Sequence, residues 1–248
     1  ETSNSDLLSF PRPNVAADVA VLSVIENEGR SELVALAHLR GPGHEAGTWA
    51  LPGRMLRPAE TLDQTAQEAI RLKLGIHDLE LDQLRVFDEP GRDPRGWVLS
   101  VAHMATVPAQ VAQYAISNPD VSPIFIDDDQ FRLPGNQTDL PYEQQLILRE
   151  AVKELRRRYS LLPDPGRILD SEFTLLQLRE VHEAIQGIEI PPDTFRREML
   201  PNLVPTGHRA EGTVGKPAMM YRRKELRKSK VRASRLLSAR MIEVDEVL

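Results

Sequence analysis

The sequence predicts a two-domain α+β protein: an α/β sandwich over residues 1–160, a small helix–helix–hairpin domain over 161–228, and a basic tail or helix over 229–248. Three observations predict it. Strand-like runs and one amphipathic helix fill the first part before a second, longer helix closes it near residue 159. The segment LLPDPGRILDSE then reads as a linker. The charge also changes sign along the chain. Residues 1–190 hold 18 Lys/Arg against 30 Asp/Glu, and residues 191–240 hold 13 against 4. Residues 241–248 add three acids and no base.

The elements follow in order. Asn14 to Glu26 (NVAADVAVLSVIE) is apolar and β-branched, and Glu32 to Leu39 (ELVALAHL) reads as a second strand. Asn-Glu-Gly-Arg between them predicts a hairpin. RGPGHEAGT is a Gly-rich loop. From Glu60 to Leu74, the apolar positions Leu62, Ala66, Ile70 and Leu74 recur every four residues, which marks one helix face, and Gly75 is a C′ stop. Leu79–Phe87 and Trp97–Val107 are two more strands joined by DEPGRDPRG, and SPIFID is another. Tyr142 to Tyr159 is a helix whose end, Arg156-Arg157-Arg158, places cations against the helix dipole. Beyond the linker, Thr174–Gln186 and Asp193–Leu200 read as short helices, the first stopped by Gly187. A Gly-rich turn with basic flanks follows, and a last, highly basic helical stretch runs from Arg222 to about Arg240.

With 41% hydrophobic and 27% charged residues among 248, the chain is neither disordered nor fibrous. It has no cysteine, which excludes disulfides, thiolate metal sites and a Cys nucleophile, and fits a reducing compartment. No apolar run has the length of a membrane span, and ETSNSDLLSFPRP lacks the pattern of a secretory leader. The expectation is a cytoplasmic protein with no membrane partner. The net charge of −6 argues against nucleic acid for the body of the protein. The basic C-terminal part points to a polyanion partner for that part alone.

Residues 51–76, LPGRMLRPAETLDQTAQEAIRLKLGI, resemble the Nudix box: Gly, five residues, Glu, seven residues, Arg-Glu, an apolar residue, any residue, Glu-Glu, any residue, Gly and an apolar residue. Anchored on Glu60, the pattern fits at Ile70, Gly75 and Ile76. It fails where the chemistry lies. The first Gly falls on Arg54, next to Gly53; the Arg-Glu pair falls on Glu68 and Ala69; the Glu-Glu pair falls on Leu72 and Lys73. In a working member, carboxylates spaced i, i+3 and i+4 on one helix face hold Mg²⁺, which polarises a pyrophosphate. Alanine and leucine cannot bind Mg²⁺, and Lys73 puts a positive charge where the metal would sit. The expectation is a kept scaffold with no catalytic residues, no metal and no cofactor, in which Lys73 holds a diphosphate without cleaving it.

Between two strands, DEPGRDPRGWV places Arg92 and Arg95 three apart on a Pro/Gly-stiffened loop, where they can clamp phosphate oxygens. RDPRGW, the degenerate box and the basic helical C-terminal part together resemble the NrtR transcriptional regulators of NAD metabolism, over residues 14–228 or so. The resemblance implies a Nudix-like α/β/α sandwich for ligand sensing and dimerisation, followed by a winged helix-turn-helix. It implies ADP-ribose or a related NAD-derived nucleotide as effector, with Arg40, Trp49, Arg54, Lys73, Arg92 and Arg95 as ligand-binding candidates. The arginines and Lys73 would face the diphosphate. Trp49 either lines the pocket or belongs to the core.

EFTLLQLREVHEAIQG resembles the first helices of a winged helix-turn-helix, with Thr174 as a cap or phosphate contact, Leu175, Leu178 and Ile185 facing the core, and His182 a structural residue. PPDTFRREML resembles the recognition helix: Pro191 and Pro192 punctuate its entry, Asp193 or Thr194 caps it, Phe195 and Met199 face inward, and Thr194, Arg196 and Arg197 face outward. Arginine suits guanine edges and phosphates, and such a helix fits the major groove. VGKPAMMYRR would be the wing, its Lys216, Arg222 and Arg223 gripping backbone phosphates. Residues 224–240 are open between a DNA-contacting helix, a dimer element and a tail.

By this resemblance the chain is a homodimeric repressor of NAD-biosynthesis or salvage genes, with double-stranded operator DNA and a nucleotide effector as partners, and is not an enzyme. One rival is a working Mg²⁺-dependent hydrolase of nucleoside diphosphate derivatives, its metal held by Glu60, Glu68 and Asp63 or Glu89. A milder one keeps the regulator and changes the effector to a sugar or another nucleotide.

Overall fold

In a computed structural model the described residues are 9–210 and 217–224. The predicted hairpin forms from β1 (Asn14–Asn27) and β2 (Arg30–Leu39). Two short strands follow, β3 (Trp49–Ala50) against β2 and β4 (Gly53–Met55) against β1. Helix α1 (Leu62–Leu74) starts on a capping box, Thr61 with Gln64, and ends on Gly75 at φ 70°, where glycine carries no Cβ penalty. Then come β5 (Asp82–Phe87), β6 (Val98–Thr106), α2 (Ala109–Ile116), β7 (Val121–Asp127) and β8 (Gln130–Arg132). A 3-10 turn at Pro141–Glu143 leads into α3 (Gln144–Tyr159).

The strands make one mixed sheet in the order β5-β6-β1-β2-β7-β8, with β1 and β6 parallel. Alternation along β1 and β2 feeds both faces. Val19, Val21, Val34 and Leu36 pack with Ile70 and Leu74 of α1 and Ala112 of α2. Ala20, Leu22, Leu33 and Ala35 pack on the other face with Ile147, Leu148 and Val152 of α3. The result is a three-layer α/β/α sandwich, with α2 an element that the sequence reading left out.

The second unit contains β9 (Phe173–Thr174), α4 (Leu175–Gln186), α5 (Pro192–Met199), β10 (Leu203–Arg209) and β11 (Met219–Arg223), with a three-stranded sheet ordered β10-β11-β9. Phe173, Leu178, Phe195, Met199 and Leu203 form its core. Arg222 and Arg223 therefore close a strand instead of opening a helix. The stretch from residue 225 to Arg240, the tail 229–248 and Lys216 lie outside the described residues.

Helix α4 serves both units. Leu178 points into the small core, while Val181 and Ile185 belong to the core of the sandwich. The segment expected as a linker is correspondingly built in. Asp164 is fully buried and accepts the Tyr159 hydroxyl, the amides of Ile168 and Leu169 at 3.1 Å each, and the guanidinium of Arg223. His182 is buried with Nε2 against the Pro163 carbonyl, and its ring sits edge-on between Tyr159 and Phe195, 5.1 Å from each centroid. A buried, bonded histidine is the structural role expected for it, and burial lowers its pKa.

Candidate functional site: a cationic cleft and a winged helix

A cleft of about 220 Å³ opens where β1, β4, the loop before β6 and the start of α3 meet. Five of the six ligand-binding candidates line it: Arg40, Arg54, Lys73, Arg92 and Arg95. They come from a loop, a strand, a helix and a second loop, so only the fold brings them together. Trp49 does not line it. Its amide donates to Gln137 Oε1 at 2.6 Å, its carbonyl accepts from Gln137 Nε2 at 2.8 Å, and its half-buried ring packs against the sandwich core.

The arginines differ in what they are free to do. Arg54 holds Glu60 in a bidentate pair, both contacts 2.9 Å. Arg95 pairs with the buried Asp93 through Nε at 2.9 Å and Nη2 at 2.6 Å. Burial pushes the Asp93 carboxyl up, but the hydrogen bonds and charge of Arg95 outweigh it and hold the group below its ordinary value. Arg92 is buried; Nη2 donates to the Tyr142 carbonyl at 2.8 Å, and Nε has no hydrogen-bond partner among the described residues. Arg40 donates to the Tyr142 hydroxyl and to the His44 carbonyl, both at 2.9 Å, and its Nε is likewise unpartnered. A buried N–H left unpaired is costly, and two of them at one cleft are donors set for an acceptor.

Three further residues of the cleft escaped the sequence reading. Asp18 is a buried carboxylate in β1, bonded to Ser100 Oγ and, at 2.8 Å, to Gln144 Nε2. A lone acid inside NVAADVAVLSVIE was the available signal, because a buried charge needs partners. Gln144 and Tyr142 gave no such local signal. Gly53 faces Asp18 so closely that a Cβ there would lie 2.0 Å from Oδ1.

The remaining acids of the box do not make a metal site. Ala69 is fully buried and Leu72 points to solvent. Glu60 is taken by Arg54, and Glu68 by Arg71 at 2.7 Å. These hydrogen bonds, first among the causes, lower both carboxyl pKa values. Among the described residues no group of three or more His, Asp or Glu could hold a metal ion. The donor set therefore does not fit the Mg²⁺ that a working Nudix site uses.

In the second unit α5 presents Arg196 and Arg197 to solvent, with Thr194 half-exposed, while Phe195 and Met199 are buried. The helix begins at Pro192 with Pro191 as N-cap, so Asp193 and Thr194 lie in its first turn and do not cap it. Proline at the first helical position brings a preset φ and no surplus N–H. Thr174 caps α4 in a capping box with Gln177, its Oγ1 accepting from Gln177 N at 3.2 Å. Arg222 is exposed on β11. Arg223 turns inward to Asp164, to the carbonyls of Leu169 and Asp170, and over the Phe173 ring at 5.1 Å.

Residues 165–223 match the NrtR DNA-binding winged helix domain. Over 216 residues the chain is 28% identical to the ADPR responsive transcriptional repressor NtrR of Acinetobacter baylyi, spanning 86% of this chain and 83% of the relative. Shewanella oneidensis NrtR, solved in complex with a 27mer DNA, superposes with a TM-score of 0.69 at 26% identity, over 85% of this chain and 93% of that one. A MutT/nudix family protein from Enterococcus faecalis shares the fold at 18% identity, with a TM-score of 0.68 over 90% of this chain and 94% of its own. A Nudix-type sandwich with a degenerate box, continuous with a winged helix that matches the NrtR DNA-binding domain, makes the chain similar over most of its length to NrtR-type transcriptional regulators.

Proposed function

We propose that this chain is a DNA-binding repressor of NAD-biosynthesis or salvage genes whose Nudix-type domain senses ADP-ribose or a related NAD-derived nucleotide and does not hydrolyse it. The observation that carries the reading is the convergence of Arg40, Arg54, Lys73, Arg92 and Arg95 on one cleft, two of them with unpartnered donors, in a chain that also carries a winged helix. Guanidinium groups suit the planar, bidentate geometry of a diphosphate. Lys73 stands at a glutamate position of the box, and both surviving glutamates are neutralised by arginine, which supports binding without cleavage.

For DNA, Thr194, Arg196 and Arg197 of α5 enter the major groove. Arg222, Lys216 and the α4 start at Thr174 contact phosphates, and Arg223 acts through its clasp on Asp164. Two copies reading a palindromic site make the active species a homodimer. Among the described residues no helix is long and apolar enough to cross a membrane. Effector binding weakens DNA binding, because a ligand shifts an equilibrium only through its different affinity for two states.

The test is calorimetric titration with ADP-ribose, with and without Mg²⁺, the same samples being assayed for AMP. Tight binding with no AMP is expected. Mg²⁺-dependent AMP release would return the chain to the hydrolases, and absence of heat with ADP-ribose would move the effector to another nucleotide or a sugar.

A further inference from the structure

Tyr142 touches three of the arginines that line the cleft, Arg40, Arg92 and Arg95. Arg40 lies 4.9 Å and Arg95 4.3 Å from its ring centroid. Its hydroxyl accepts from Arg40 at 2.9 Å and lies 3.2 Å from His44 Nδ1. Its carbonyl accepts from Arg92 at 2.8 Å. The hydrogen-bond partners of Arg40 and Arg92 here are neutral oxygens, where a diphosphate would offer charged acceptors, the stronger kind, while Arg95, already paired with Asp93, adds only a ring contact.

The backbone at this point is held in a disfavoured form. Tyr142 has φ 58° and ψ 34°, and Glu143, the N-cap of α3, has φ 56° and ψ 26°. Two consecutive non-glycine residues in the left-handed region persist only where surrounding contacts impose them. Here the Tyr142 carbonyl is held by Arg92, and the ring lies against Arg40 and Arg95. The next residue, Gln144, opens α3 and ties it to the cleft through Leu51 and Asp18.

The far end of α3 is where the winged helix attaches. Tyr159 gives its hydroxyl to Asp164, which holds Arg223 of β11, and sets its ring against His182, which in turn meets Phe195 of α5. The 16-residue helix therefore has the Tyr142–Glu143 turn just before its start and contacts to the DNA-binding unit at its end.

We propose that the effector's diphosphate displaces Tyr142 from between Arg40 and Arg95, and that relaxation of the Tyr142–Glu143 turn moves α3 and so reports occupancy to α5 and β11. The inference rests on the effector reading above. Tyr142 is a positioning residue here: it acts by competing with the ligand.

Hydrogen exchange on the full chain, with and without ADP-ribose, tests it alongside calorimetry. In the wild type, ADP-ribose should change exchange of amides in α3 and in Phe195–Met199. Tyr142→Ala should bind ADP-ribose within roughly 3-fold of wild type or tighter, while its ligand-induced change in α5 falls by roughly 5-fold or more, the lower end of ordinary allosteric coupling. Loss of binding by more than roughly 10-fold would make Tyr142 a plain wall of the pocket and overturn the idea. So would an undiminished response in α5. Tyr142→Phe keeps the ring and drops the hydroxyl contacts, so it covers the case of a poorly folded alanine variant. It should bind more tightly than wild type, and weaker binding would count against displacement. A wild type that binds no ADP-ribose removes the effector reading and this inference together, whereas a responsive wild type matched by a responsive Tyr142→Ala removes only the inference.

Discussion

Arg223 of the winged domain closes on Asp164, whose side chain is fully buried at the end of the sandwich, with Nε at 2.9 Å from Oδ2. The same carboxylate caps two amides and takes the Tyr159 hydroxyl. Removing one member of a buried pair leaves the other uncompensated, at a cost of about 3–5 kcal/mol. Arg223→Met should lower thermal stability by that order. Its DNA binding should weaken through loss of the fold at the junction, with the salt dependence of the residual binding unchanged. A reduced salt slope in a fully stable variant would instead make Arg223 a phosphate contact.

Arg197 and Arg196 on the exposed face of α5 give the complementary case. Each substituted by Ala should leave the melting temperature within error, because surface changes of this kind cost little. A base-reading arginine should cost about 1–3 kcal/mol of binding and relax specificity at one position, and a phosphate-binding one should reduce the salt slope by about one. Titrations of a selected duplex at several salt concentrations separate the two.

In the cleft, Arg92→Met removes a buried cation with an unpartnered Nε while keeping its volume. ADP-ribose affinity should fall by about 1.5–3 kcal/mol, the range for a charged hydrogen bond, with a smaller change in unfolding free energy. Equal binding by the variant would mean that the diphosphate lies elsewhere.

His38 supplies a pH signature. Burial, then the charge of Lys73, holds its pKa down to about 4 from 6.5, with Arg40 adding to the effect. The folded state thus keeps His38 neutral where the unfolded chain protonates it. Its contribution is complete above about pH 6.5 and is lost as pH falls toward 4, on the order of 3 kcal/mol in all. His103 and His182 are also lowered by burial, so the measurement is the difference between wild type and His38→Gln. The gap between their unfolding free energies should change across pH 6.5 to 4 and stay constant above it.

Gly53→Ala should be poorly tolerated although the residue is half-buried in an ordinary strand. The added Cβ would meet Asp18 Oδ1, and Asp18 cannot yield without losing Ser100 or Gln144. Overpacking of this kind costs about 1–3 kcal/mol, and chemical denaturation would register it.

Much of this architecture was legible in the residues. The first hairpin, α1 with its Gly75 stop, α3 and the inner face of α5 follow from periodicity and caps, which are local properties. The cations of the cleft were legible as residue types. What closes the cleft was not, because Asp18, Tyr142 and Gln144 are brought together only by the sheet and α3. Helix α2, AQVAQYAI, lacks a side-chain cap and is too short for its period to stand out. LLPDPGRILDSE reads as a linker by composition, yet the groups that fix it, Tyr159 and Arg223, lie 5 and 59 residues from Asp164. The start of α5 moved because a proline outranked Asp193 and Thr194 at the helix entrance.

Helix α4 gives Leu178 to one core and Val181 and Ile185 to the other, while Arg156 Nε donates to its Ile185 carbonyl at 2.9 Å and Gln186 donates back to Arg156 O at 3.0 Å. The two halves of the molecule are therefore not interchangeable modules. Excised at residue 165, the winged helix would carry an oily stripe with nothing to cover it. The truncated sandwich would open a trough of matching shape, and melting of the intact chain should be one event and not two.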